Sequence, residues 1–122
     1  MTPMSSNPPS SPANPPSDFT VVFVTVPNAD VAVALAKTLV AEKLVACVNI
    51  LPGLRSIYVW DGKPCDETEF LCVLKTRRAL FPAVRDRVTA LHPYQVPEII
   101  ALPLVEGNLP YLAWLREETR AP

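Results

Sequence analysis

A single histidine, His92, stands in the 122 residues, so one chain has too few imidazoles for a multi-histidine metal site. The cysteines, Cys47, Cys65 and Cys72, are odd in number and form no CxxC pair. That sets aside a disulfide framework and points to a reducing compartment. No stretch reaches the ~18 consecutive apolar residues that a membrane span needs. Neither a basic start nor an apolar stretch precedes Phe19, so no signal peptide is expected. A charge excess is missing too: 11 basic residues face 12 acidic ones, for a net charge of −1. Nucleic-acid binders carry a basic face, so none is expected to bind here. GxSxG, HExxH, P-loop and GxGxxG motifs are all absent, and no enzymatic reaction is assigned.

What is present is an apolar chain, 49% hydrophobic, of a length for one domain. Residues 1–18 stand apart, with six prolines, five serines and no aromatic residue. They read as a disordered tail on a domain spanning 19–122. Phe19–Val26 is a β-branched run, apolar on both alternating faces, as a doubly covered central strand would be. Asn28 is a suitable N-cap for a helix to about Lys43 with its stripe at Val31, Leu35, Leu39 and Val40. Ala46–Trp60 is extended, and Pro52-Gly53 predicts a bulge or bend. Asp61-Gly62-Lys63 is a hairpin turn signal, and Glu67–Thr76 returns as a strand with Phe70, Cys72 and Leu74 on one face. In that stretch Cys65, read as part of the turn, is the thiol expected to be exposed.

A second helix is predicted from near Leu80, with Pro82 in its first turn and an apolar stripe of Leu80, Phe81, Val84, Val88 and Leu91. His92-Pro93 ends it. Pro97–Leu104 is a short strand, and Asn108 caps a last helix with Tyr111, Leu112 and Leu115 facing inward. The order β-α-β-β-α-β plus a terminal helix is the split βαβ, ferredoxin-like plan of the α+β class. Two helices cover one sheet face; the other, also apolar, needs a cover. Ala46–Trp60 would extend ~50 Å at ~3.3 Å per residue, overhanging a one-domain core. Both features invite pairing with another copy of the chain.

Three blocks resemble the CutA family of divalent-cation tolerance proteins. They are Ala46-Cys47-Val48-Asn49-Ile50 with Pro52-Gly53 and Ser56–Lys63, then Lys75-Thr76-Arg77, then Leu91-His92-Pro93-Tyr94-Gln95-Val96-Pro97-Glu98-Ile99-Ile100. The trailing Tyr111-Leu112-Ala113-Trp114 is similar as well. The resemblance implies a ferredoxin-like subunit in a tight homotrimer like that of the PII signalling proteins. It implies association with copper and other divalent metals, a cytoplasmic setting in bacteria, and no established reaction. Some relatives carry a copper-linked cysteine just before the threonine matching Thr25; here that position is Val24.

His92 is the natural ligand for Cu(II) or a similar ion, with Glu98 as an oxygen donor; it also suits the end of a helix, where it can cap carbonyls. Lys75 and Tyr94 are polar members of the matching blocks. With Glu98 and the apolar wall of Trp60 or Tyr58 they can line a ligand pocket, or form an intersubunit salt bridge. Cys47 and Cys72 read as structural thiols. The leading reading is a trimeric copper-binding protein of metal tolerance. The rivals are a PII-like sensor with a small organic ligand in interfacial clefts, and a structural trimeric scaffold.

Overall fold

A computed structural model describes residues 13–122. The expectation of a disordered tail lies, for residues 1–12, outside the described residues. Four strands, β1 (Phe19–Val26), β2 (Cys47–Trp60), β3 (Lys63–Arg77) and β4 (Ile99–Pro103), form one antiparallel sheet in the order β2-β3-β1-β4. Three helices, α1 (Ala29–Ala41), α2 (Phe81–Leu91) and α3 (Leu109–Glu117), complete the domain. This is the ferredoxin-like α+β plan that the element order predicts.

The core lies between one sheet face and α1 with α2. Val22, Val24 and Val26 of β1 and Cys72 and Leu74 of β3 point to that side and are fully buried. Ala32, Leu35 and Leu39 meet them from α1, and Val84 and Val88 from α2. Each such side chain contributes roughly 1.5–3 kcal/mol when fully removed from water. Asn28 caps α1 as expected, its side chain accepting from the Val31 amide at 2.9 Å. Some helix faces turn differently from the predicted stripes. Ala32 rather than Val40 is buried in α1, and Leu91 and Tyr111 are exposed. The sheet meets only a narrow arc of each helix, so large apolar residues one position round fall outside it. Asn108 occupies the N-cap of α3 without a side-chain capping bond.

The opposite face is the unusual one. Val21 and Phe23 of β1, Leu71 and Val73 of β3, and Ile100 and Leu102 of β4 share it, by strand alternation. Ile100 and Leu102 are 50% and 44% exposed. α3 covers one end only, where Leu112 and Leu115 seal Phe19. Arg116 of α3 lies over the Phe19 ring at 5.2 Å and pairs with Asp18 at 2.7 Å and Asn14 at 2.6 Å. Residues 16–18 form a 3-10 turn, so this end of the segment read as a tail is seated against α3 by polar contacts rather than by apolar burial.

β2 and β3 are longer than the sheet they belong to. β1 pairs with β3 only from Phe70 to Arg77, whereas β2 follows β3 out to Lys63. The seven residues 63–69 therefore project about 23 Å beyond β1 at ~3.3 Å per residue. The turn is Asp61-Gly62, both at positive φ (53° and 74°), which matches the right-handed twist of the hairpin. That tight turn lets pairing resume at once at Lys63, which is why β3 starts four residues before the predicted Glu67, and why Cys65 lies in a strand, half-buried. At Pro52-Gly53 the register slips between Leu51 and Leu54, with Gly53 at φ 76°. The bulge exchanges the two faces of β2, so that Ser56, Tyr58 and Trp60 stand on the same side as Glu67 and Glu69.

Burial pushes the Cys72 thiol up to about 11, three units above pH 8. About one molecule in a thousand is then a thiolate at pH 8, and the thiolate is the reactive form. Native full-length protein treated with iodoacetamide at pH 8 should keep Cys72 unmodified until it unfolds, by peptide mass spectrometry. Alkylation of Cys72 as fast as of half-buried Cys65 would contradict this packing.

Candidate functional site

The functional end of the molecule is built where three things meet: the end of β1, the overhanging hairpin, and the turn after α2. The turn is placed by His92. This residue caps α2 in an extended conformation and is buried, 8% exposed. Its Nε2 lies 2.7 Å from the Thr25 carbonyl oxygen, and its Nδ1 lies 3.1 Å from the Tyr94 amide. A carbonyl accepts only, so Nε2 carries the proton; an amide N–H donates, so Nδ1 offers the lone pair. The imidazole is thus a neutral bridge with both nitrogens in use.

Tyr94 leaves the turn with its ring 4.7 Å from that of His92, and its hydroxyl donates to Glu69 Oε2 at 2.8 Å. Across the cavity the Tyr58 hydroxyl donates to Glu67. Both phenols are raised above their usual range. For Tyr94 burial is the main cause and the Glu69 bond comes second; for Tyr58 the bond to Glu67 comes first. Both therefore remain protonated donors at any physiological pH. Trp60, Tyr58 and Tyr94 wall a cavity of about 640 Å³, with Ile57 and Val96 adding aliphatic surface. Glu67, Glu69 and Glu98 line it, and among the described residues no lysine, arginine or histidine does. A volume in this range suits a small ligand.

Of the residues singled out in the sequence, Trp60, Tyr94 and Glu98 come together here. Lys75 does not. It lies six residues along β3 from Glu69, about 20 Å away at ~3.3 Å per residue, where its Nζ binds Asn49 Oδ1 and sits 3.9 Å from Cys47 Sγ. His92 stands behind Tyr94 as a strut rather than as a ligand with a free lone pair. Glu67 and Glu69 escaped the sequence reading. Their signal is the i, i+2 spacing of two carboxylates on a strand, which places both on one face. Both stood within the predicted strand Glu67–Thr76, but the Tyr94 hydroxyl that marks Glu69 is 25 residues away in sequence.

A divalent metal was expected on His92 and Glu98, so the donors were compared with that chemistry. Cu(II) prefers imidazole and borderline ligands, and the one imidazole is committed twice over. Among the described residues no three His, Cys, Asp or Glu side chains gather at a spacing that could hold a metal ion. The residues of a single chain do not fit a resident copper centre.

Truncation of His92 is a direct check. His92→Ala would leave the Thr25 carbonyl and the Tyr94 amide without partners in a buried place. Such a loss costs about 1–3 kcal/mol, against the ~0.3–1 kcal/mol of an exposed helix-end charge. The urea midpoint should fall accordingly, and an unchanged midpoint would contradict the bridging role.

The comparisons with known proteins agree with one another. The family model for the CutA1 divalent ion tolerance protein matches residues 20–118. A divalent-cation tolerance protein CutA of Thermus thermophilus is 57% identical over 99 residues, 81% of this chain and 96% of that protein. Protein CutA of Homo sapiens is 45% identical over 106 residues, 87% of this chain but 59% of the human protein. In structure, CutA1 from Oryza sativa superposes with a TM-score of 0.83 at 49% identity, over 85% of this chain and 95% of that one. The chain belongs to the CutA1 family of divalent ion tolerance proteins.

Proposed function

We propose that this protein acts as a homotrimer in tolerance to divalent metal ions, and that Cu(II) binds it weakly, through donors from more than one subunit. The observation that carries the oligomer is the apolar second face of the sheet. Val21, Phe23, Leu71 and Val73 stay only half-buried, and Ile100 and Leu102 are exposed, on the side that α3 leaves open. A contiguous apolar surface of this kind marks an interface. The projecting hairpin supports the same reading, with Ile57, Val59 and Trp60 exposed at 73%, 69% and 53%. The uncovered face supports a partner subunit, and three is the number that the resemblance to the CutA family implies.

The metal role rests on the family, whose members are named for divalent-cation tolerance. Its chemistry here has to respect the donor set. A single chain offers oxygen donors, Glu98 foremost, and no free imidazole, so a complete coordination shell needs a neighbour. We assign no reaction to the protein, and place it in the cytoplasm on the strength of three free thiols, Cys47, Cys65 and Cys72.

Native mass spectrometry of the full chain, with and without Cu(II), tests both halves. Three chains should be counted in either condition, with copper held by the assembly and lost when it is dissociated into monomers. A folded monomer at micromolar concentration would overturn the oligomer, and copper retained by single chains through His92 would overturn the shared site.

A further inference from the structure

The cavity between the hairpin and the 94–98 turn has a composition that metal tolerance does not explain. Three carboxylates line it, and among the described residues no basic side chain does. Glu69 is the decisive one. It is 4% exposed, yet among the described residues it has no cationic partner, and only the Tyr94 hydroxyl donates to it, through Oε2. Its Oε1 has no donor among the described residues. A buried carboxylate normally meets a cation or a full set of hydrogen bonds. The open cavity leaves room for a cation to supply the missing partner.

The rest of the wall says which kind of cation fits. Aromatic faces of Trp60, Tyr58 and Tyr94 attract organic ammonium groups by the charge distribution of their rings. Ile57 and Val96 offer aliphatic surface for methylene segments. The carboxylates do not converge on a point, since among the described residues no metal-binding cluster forms. A compact divalent ion wants many oxygens within one small shell. A chain with separated ammonium groups can instead meet separated carboxylates, each N–H finding its own oxygen. We propose that this cavity binds a linear aliphatic polyamine, with one ammonium group on Glu69 and another toward Glu98 at the rim. The inference rests on one chain's cavity and not on copper; Ile57 and Trp60, which line it, also stand on the hairpin surface proposed to meet a neighbouring subunit.

Spermidine is a suitable probe, titrated calorimetrically into the full-length protein. Saturable binding of one molecule per chain is expected. Glu69→Gln, nearly isosteric, should weaken it tenfold or more. Glu98→Gln, at an exposed position where folding is not at stake, should weaken it several-fold, and it decides the matter alone if Glu69→Gln fails to fold. Lys75→Gln, outside the cavity, should change nothing. Tetramethylammonium, which lacks N–H donors, should not displace spermidine, and neither Mg²⁺ nor Cu²⁺ at equal concentration should do so. Absence of saturable binding would overturn the proposal. So would affinity unchanged in Glu98→Gln, or displacement by any of the three competing cations.

Discussion

The hydrogen bond from His92 Nε2 to the Thr25 carbonyl, 2.7 Å long, is the contact on which the functional end of this molecule depends. It fastens the end of α2 to the end of β1. The same ring accepts the Tyr94 amide through Nδ1, which fixes the start of the 94–98 turn. From that turn come Tyr94 and Glu98, and Tyr94 then reaches Glu69 on the hairpin. β1 and β3 are already paired here up to Val26 and Phe70, and the imidazole ties the end of α2 and the 94–98 turn to that pair. The arrangement requires the ring to be neutral and to carry its proton on Nε2, because both of its partners are fixed in their hydrogen-bonding sense.

The second constraint is length. β1 and β4 are eight and five residues long, while β2 and β3 have fourteen and fifteen. Only a tight turn of two residues at positive φ keeps so long a hairpin in register, and the bulge at Pro52-Gly53 then rotates its outer half. Without the bulge, Tyr58 and Trp60 would face away from Glu67 and Glu69. A single extra residue in β2 therefore decides whether the overhang is a bare ribbon or one side of a cavity. The Arg55 and Asp66 side chains brace that outer half across the strands, at 2.7 Å and 2.9 Å.

Much of this was legible in the chain. The β-branched run Phe19–Val26 gave its strand with both ends correct, because Pro27-Asn28 ends it sharply. The bulge, the hairpin turn and the helix stop at His92-Pro93 each follow from a proline or glycine whose backbone demands are local. The oversize of the hairpin was visible as an uninterrupted extended pattern. What stayed hidden depends on contacts distant in sequence. That Ala32 rather than Val40 faces the core follows from where the sheet ends, which no local period reports. The role of His92 turns on residue Thr25, 67 positions away, whose backbone rather than side chain is the partner. The sequence suggests a metal ligand at His92, and its burial between two hydrogen bonds gives it a bridging role instead. Lys75 matched a family block yet sits six residues along β3 from Glu69, away from Trp60 of β2 and Tyr94 of the turn after α2, since spacing along a strand converts directly into distance.

The central claim is that His92 is a neutral strut. Because the chain has one histidine, its imidazole nitrogens give one unambiguous pair of resonances. A long-range ¹⁵N–¹H correlation spectrum of the native full-length protein at neutral pH reads the tautomer directly. The account predicts a single neutral form protonated at Nε2. A ring protonated at Nδ1, or a mixture of tautomers averaging as in a free imidazole, would contradict it.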